Sequence, residues 1–238
     1  MTNQLNPIGV LHTCFREKFG APRQPLMIPE ATGTIKLTAD DRYRRALQGL
    51  ETFSHIWIVF LFHKAGEREW RPTVETPRLE AEGKMGVFAS RSPHRPNPIG
   101  LSAVKLDRID LDTLEIHVSG VDILDGTPVL DIKPYLPYAD ALPDASSGWA
   151  TREIEKFTVK FSESALETLA SHPYPRFKEL LTQMLEWDPR PTSQRRAAPI
   201  FAEKSEGMRF AFRVMDSDIH WRIHARTIEV TEVRRLPL

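Results

Sequence analysis

Between Lys84 and Ser102 the chain reads KMGVFASRSPHRPNPIGLS, which sets Arg91, His94 and Arg95 among Pro93, Pro96 and Pro98. Each proline fixes its own φ and has no amide hydrogen, so this stretch can be neither a helix nor an inner strand. The expectation is a stiff loop that displays its cations between two strand-like runs, Val87 to Ala89 and Ile99 to Val104. Cations already held in place lose little entropy on binding, which suits an anionic or aromatic ligand. A proline-rich turn with solvated charges is the competing reading. Other chemistries find little support. No G-x-G-x-x-G or G-x-x-x-x-G-K-[ST] occurs, so neither a dinucleotide fingerprint nor a phosphate-binding P-loop is on offer. His12, His55, His63 and His94 are scattered and no H-E-x-x-H appears, so no metal is expected. Cys14 is the only cysteine and reads as a structural thiol, which excludes a disulfide framework or a cysteine zinc cluster.

The elements that must carry this loop are mostly strands. Pro7 to His12 and Thr34 to Leu37 are short strand candidates, and Ser54 to His63 is a β-branched and aromatic run that reads as a strand buried on both faces. Asp40 to Leu47 reads as one short helix, with acidic residues in its first turn and Gly49 past its end. Ser102 to Asp110, a turn at Leu111 to Thr113, Leu114 to Leu124, the turn Asp125-Gly126 and Val129 to Tyr135 continue the pattern. Closely spaced strands with short turns predict a sheet closed, or nearly closed, into a barrel. A connecting segment follows around Leu136 to Ala150, and then the period changes. Ser164 with Glu167 makes a capping-box pattern, and Phe177, Leu180, Leu181, Met184 and Leu185 form one apolar helical stripe ended by Asp188-Pro189. Met208 to Val214 and Ile219 to His224, joined through Asp216-Ser217-Asp218, predict a hairpin with one apolar face and one basic face.

Two long motifs in order, GVFASRSPHRPNPIGLS and DGTPVLDIKPY from Asp125 to Tyr135, resemble the signature of the TsaA-like family, and the whole chain is similar to TrmO-type tRNA methyltransferases. The resemblance implies a mainly β, α+β protein: an N-terminal closed β-barrel that binds S-adenosyl-L-methionine (residues 1–148) and a small C-terminal α+β domain (residues 149–238). It implies methylation of the exocyclic N6 of threonylcarbamoyl-adenosine beside the anticodon of tRNA, in a cytoplasmic homodimer. By the same resemblance the cofactor site comprises Arg23, Gln24 and Pro25, His63 and Lys64, Arg91, Leu101, and the turn Leu124, Asp125, Gly126 and Thr127. Each has an ordinary counterpart reading: a solvated loop arginine, a strand end, a simple Asp-Gly turn.

Methyl transfer from a sulfonium is a displacement dominated by positioning, but an adenosine amine is a weak nucleophile that profits from an acceptor for its hydrogen. Asp125 and Asp131 are the sequence candidates for that role, and Asp131 could equally pair with Lys133 or Arg95. Arg95, Arg195 and Arg196, with the hairpin residues Arg209, Arg213, Arg222 and His224, are candidate contacts to tRNA phosphates, against the alternative of a solvated sheet face. Charge distribution helps only slightly: the chain carries 32 basic and 32 acidic residues, and from Arg176 onward 12 basic against 9 acidic. No apolar run reaches the length of a membrane span, and the first residues lack a leader pattern, so a cytoplasmic chain with no membrane partner is expected. A non-catalytic RNA- or nucleotide-binding module is the rival reading; a hydrolase lacks any Ser/His/Asp or metal set. Because all the cofactor candidates precede Ala150 and the hairpin follows it, the two halves are expected to be separable by function.

Overall fold

The computed structural model describes residues 5–65, 69–75, 83–150, 154–199 and 203–236. In chain order the first half contains β1 (Gly9–Thr13), β2 (Thr32–Leu37), α1 (Asp41–Ala46), β3 (His55–Leu61), β4 (Thr73–Glu75), β5 (Lys84–Gly86), β6 (Ile99–Asp110), β7 (Glu115–Ser119), β8 (Thr127–Pro134) and α2 (Pro137–Asp140). Six of these strands close a barrel in the order β1-β2-β7-β6-β3-β8, with β8 returning to β1 and every neighbour antiparallel. Closure removes the sheet edges, and inward side chains fill the interior. Leu11, Ile35, Ile56, Ile58, Val104, Ile116, Val118 and Val129 are that filling, each essentially inaccessible. At α1 the side chain of Asp40 accepts from the Arg42 amide as N-cap, so the expected helix forms there.

Three local readings change. β3 is buried on one face only: Ile56, Ile58 and Phe60 point inward while Trp57, Val59 and Leu61 are half-buried, because an antiparallel barrel has one core side. Val87 to Ala89 is a turn of 3-10 helix rather than a strand. β7 ends at Ser119, where Gly120 takes φ 75° and turns the chain across the barrel mouth.

The second half contains β9 (Thr158–Phe161), α3 (Glu163–Ala170), α4 (Phe177–Glu186), α5 (Thr192–Ala197), β10 (Arg209–Val214), β11 (Ser217–His224) and β12 (Thr227–Arg235). The sheet order is β10-β11-β12-β9, with β9 parallel to β12. The predicted stripe of α4 is buried in full. The cap of α3 lies two residues earlier than the capping-box pattern suggests: the Ser162 hydroxyl accepts from the Ala165 amide. The β10–β11 turn is tighter than expected, pairing Val214 with Ser217 across Met215 at φ 52°.

The two halves share one continuous apolar cluster. The loop between β1 and β2, residues 14–31, is where they meet. The second half ties it at intervals: the Met215 amide to Cys14 O (3.1 Å), the Arg213 amide to Glu17 (3.0 Å), Arg23 Nη2 to Arg190 O (3.3 Å), Trp187 Nε1 to Met27 O (2.9 Å) and the Glu30 amide to Gln183 Oε1 (2.9 Å). The functional separation expected at Ala150 is therefore not a separation of contacts. Among the described residues no helix is long and apolar enough to cross a membrane.

Candidate functional site

The proline loop is braced from within. Arg95 donates to Val87 O (3.1 Å) and Ser90 O (2.8 Å) and stacks its guanidinium over Phe88, while Trp149 Nε1 reaches Ala89 O (2.8 Å). Arg91 is thereby left pointing across the loop to Gln24 Oε1, to which it donates. Behind them lies a cavity of about 470 Å3 at the barrel mouth, lined by Arg23, Gln24, Pro25, Arg91, Arg95 and Leu101 among others. A second cavity of about 260 Å3 adjoins it, lined by Lys18, His63, Lys64, Leu124 and Thr127. Pro22, Arg23, Phe60, Phe62 and Asp122 line both and form the common wall.

The wall is built by close packing. Phe60 and Phe62 meet edge to face at 5.1 Å, and Phe60 lies so near Gly100 that a Cβ there would come within 2.2 Å of the ring. Segment 120–127 crosses the mouth as a fixed bar. Val121 and Ile123 are buried beneath it, and its backbone is tied through Gly120 O to Leu26 N (2.8 Å), Val121 N to Ala31 O (3.2 Å), Asp125 N to Phe15 O (2.8 Å) and Gly126 N to Leu11 O (3.0 Å). Alternation along this bar turns Asp122 and Leu124 toward the cavities. Ser102 Oγ donates to Asp122 at 2.6 Å. Burial pushes the Asp122 carboxyl up to about 6, against the Ser102 hydrogen bond and the Arg91 charge, which oppose the rise. Partial desolvation by the surrounding cavity walls also draws Arg23 below the usual guanidinium range, and with the neighbouring Lys64 draws His63 below its ordinary value. His63 Nδ1 lies 3.1 Å from Thr127 Oγ1, and Lys64 Nζ donates to Arg16 O (2.7 Å).

Of the cofactor candidates, Arg23, Gln24, Pro25, His63, Lys64, Arg91, Leu101, Leu124 and Thr127 thus come together around two joined cavities. Asp125 and Gly126 sit in the bar behind them, where Asp125 accepts from the Thr13 amide (3.1 Å) and faces His12 (3.2 Å). Asp131 pairs with Lys133 at 2.9 Å on the half-exposed side of β8. Neither carboxylate lines either cavity. Asp122, which does, escaped the sequence reading; the signal for it was an acidic residue inside the apolar run VDIL, where a strand pattern wants a hydrophobe.

The candidate phosphate contacts are dispersed. Arg195 is buried beside Arg23, and burial, with that like charge next, lowers it to about 10. Arg196 pairs with Glu75 at 2.5 Å. On the hairpin, Arg209 and Arg213 are exposed, whereas Arg222 pairs with Glu229 (2.7 Å) and His224 with Glu206 (2.6 Å). The expected basic face is consequently half neutralised. Arg190, in the same arginine-rich segment, is fully buried on Asp188 (2.7 Å) and is part of the core. Among the described residues no cluster of His, Cys, Asp and Glu is placed to hold a metal.

Donors for a carboxylate (Arg23, Arg91), an amide for an adenine edge (Gln24) and aromatic walls (Phe60, Phe62) fit an adenosyl ligand that carries a carboxylate, such as S-adenosylmethionine. Comparison with known proteins points the same way. Residues 10–141 match the family model of the tRNA-methyltransferase O N-terminal domain, and residues 154–236 that of the TrmO C-terminal domain. The Escherichia coli tRNA (adenine(37)-N6)-methyltransferase is 40% identical over 233 residues, covering 95% of this chain and 96% of that protein. A Pseudomonas aeruginosa protein named as an S-adenosylmethionine-dependent methyltransferase, RcsF, is 44% identical over 224 residues, 93% of each chain. The crystal structure of TrmO from Pseudomonas aeruginosa superposes with a TM-score of 0.80 at 39% identity, over 98% of this chain and 99% of that one. On this agreement of sequence, fold and cavity, the chain belongs to the TrmO family.

Proposed function

We propose that this protein transfers the methyl group of S-adenosyl-L-methionine to the exocyclic N6 of adenosine in tRNA, and that its substrate is the threonylcarbamoyl-adenosine beside the anticodon. The observation that carries the reading is the pair of joined cavities at the barrel mouth, with Arg23, Gln24 and Arg91 converging on one and Asp122 in the wall between them. The names of the relatives supply the methyl donor and the tRNA base. When bound, S-adenosylmethionine supplies an electrophilic methyl group. The protein's own task is to hold and exclude. Arg23 and Arg91 offer charge-assisted donors to a carboxylate, and Phe60 and Phe62 offer a dry face to an adenine. Stiffness of the proline loop and of the 120–127 bar keeps the reacting groups aligned, which is where most of the rate in such a displacement arises.

The target base must leave the anticodon stack to enter the mouth. We assign the donor site to residues 1–148 and much of the tRNA docking to residues 149–238, with exposed Arg209 and Arg213 as phosphate contacts, Arg196 as a further one and Arg95 at the cavity itself, while buried Arg195 is left out of that set. Exposed Phe88, Ile99 and Leu101 beside the mouth support a homodimer that covers them. Incubation with labelled S-adenosylmethionine and bulk tRNA tests the reaction. Label should enter tRNA that carries threonylcarbamoyl-adenosine and not the same tRNA made without it; equal labelling of both would move the substrate to plain adenosine, and none would favour a binding module. Light scattering that finds a fully active monomer would sink the dimer.

A further inference from the structure

We infer that Asp122 is a catalytic residue that accepts the N6 hydrogen of the target adenosine, an assignment that rests on the methyl-transfer reading above. Among the described residues lining the two cavities it is the one carboxylate, and it stands in their common wall, where a donor in one chamber and a base in the other would meet. The charged and titratable groups that line the cavities with it are Arg91 and Arg95 on the proline loop, Arg23 and Lys18 on the β1–β2 loop, and His63 with Lys64 after β3. All are cations except His63, which partial desolvation and the neighbouring Lys64 shift toward its neutral form. Asp122 is the acid set among these groups, and the Arg91 charge acts on it directly. It is held by a hydrogen bond from Ser102, itself buried, and by the tied backbone on either side. Its proton affinity, raised to about 6 by burial, is close to ambient pH, where a general base is most effective.

The step balances without a further reagent. A bond forms between N6 and the methyl carbon as the bond from sulfur to that carbon breaks, its electron pair remaining on a now neutral sulfur. The N6 hydrogen passes to an Asp122 carboxylate oxygen and leaves to water as products depart. Ser102 is a positioning residue that keeps the carboxylate aimed at the junction.

The test is Asp122→Asn in the full chain. Turnover on tRNA at saturating S-adenosylmethionine should fall about 10²- to 10⁴-fold. Affinity for S-adenosylmethionine by calorimetry should stay within about threefold, a change worth under one kilocalorie. In the wild type, turnover should rise with pH through about 6 and level above it, a limb the variant lacks. Because His63 titrates nearby, carbon-13 NMR of labelled aspartates should find one carboxyl titrating near 6 that disappears in Asp122→Asn. Ser102→Ala, which only removes a hydrogen bond, should move the acid limb up by about one pH unit while keeping the plateau. Near-normal turnover in Asp122→Asn overturns the assignment. So does a loss confined to S-adenosylmethionine affinity, which would make Asp122 a cofactor-holding group, or an acid limb unmoved in Ser102→Ala. A wild type that binds the cofactor but methylates no tRNA overturns the underlying reading instead, and this one with it.

Discussion

Cutting the chain after Ala150 should weaken the binding of S-adenosylmethionine, although every candidate cofactor residue is retained. Arg23, Gln24 and Pro25 lie on the 14–31 loop, which contains no strand or helix between β1 and β2. The first half ties it through Phe15, Arg16, Lys18, Gln24, Leu26 and Ala31, but the five hydrogen bonds to Met215, Arg213, Arg190, Trp187 and Gln183 come from the part removed. At a net 0.5–1.5 kcal/mol each, they sum to roughly 2.5–7.5 kcal/mol of loop stabilisation. Re-ordering even four loop residues on binding would cost about 4–8 kcal/mol, so the lower figure is a cautious estimate of the loss. It corresponds to roughly a 60-fold rise in Kd. Calorimetry on a truncated protein whose circular dichroism still reports the barrel would measure it. As a milder control in the full chain, Trp187→Phe keeps an aromatic ring beneath Lys156 but leaves Met27 O without its donor, and should raise Kd about two- to twelvefold. A folded barrel that binds the cofactor within about threefold of the full chain would refute the idea that the C-terminal half holds the loop.

Arg91→Ala should lower cofactor affinity about ten- to a hundredfold by calorimetry with an unchanged melting temperature, since it holds no core group in place and donates to the half-buried side-chain amide of Gln24. Gly100→Ala drives a methyl group into the Phe60 ring, at 2.2–2.7 Å from three ring atoms, and should cost about 1–3 kcal/mol, seen as a melting point lower by about 2–12 °C and largely recovered by adding Phe60→Leu. Asp122 is raised in the fold, so its contribution to stability is fully kept below the unfolded value near 3.9, is lost as pH rises from there through about 6, and is lost in full above it. Asp122→Asn should therefore stabilise the protein by about 1–3 kcal/mol at pH 8 and by little at pH 4 in thermal melts, and equal effects at both would contradict the burial argument. Arg209→Glu with Arg213→Glu should weaken tRNA binding and flatten its salt dependence while sparing cofactor affinity, as filter binding at several ionic strengths would show.

The barrel was legible because its strands are short, alternating and separated by turn residues whose backbone demands are local. Asp40 capping α1, the stripe of α4 and the β10–β11 pair are all settled within short stretches of neighbouring sequence. Where pairing is non-local the pattern faded. β9 is only four residues long and exists because it lies parallel to β12, some seventy residues on. β12 itself alternates Ile228 and Val230 with Glu229, but the shift of register at His220/Trp221 breaks the period before Val233. β4 and β5 are three residues each, with little for periodicity to act on.

The site divides along the same line. Arg91 could be anticipated because prolines stiffen the loop that bears it, a property of consecutive residues. What a charged side chain does once the chain closes on itself is another matter. Arg190 and Arg209 look alike in sequence, yet one is sealed on Asp188 in the core and the other stands in water. Asp125 and Asp122 are three residues apart on the same bar. The bar's alternation, set by Val121 and Ile123 seeking the core, turns the first toward the Thr13 amide and the second into the cavity wall. An Asp-Gly turn draws the eye, but its carboxylate is already taken up by the Thr13 amide and His12 on β1. The acid left with chemistry to do is the one whose environment is made by Ser102, Arg91 and Phe60, residues distant in sequence from it and brought near only by closure of the barrel.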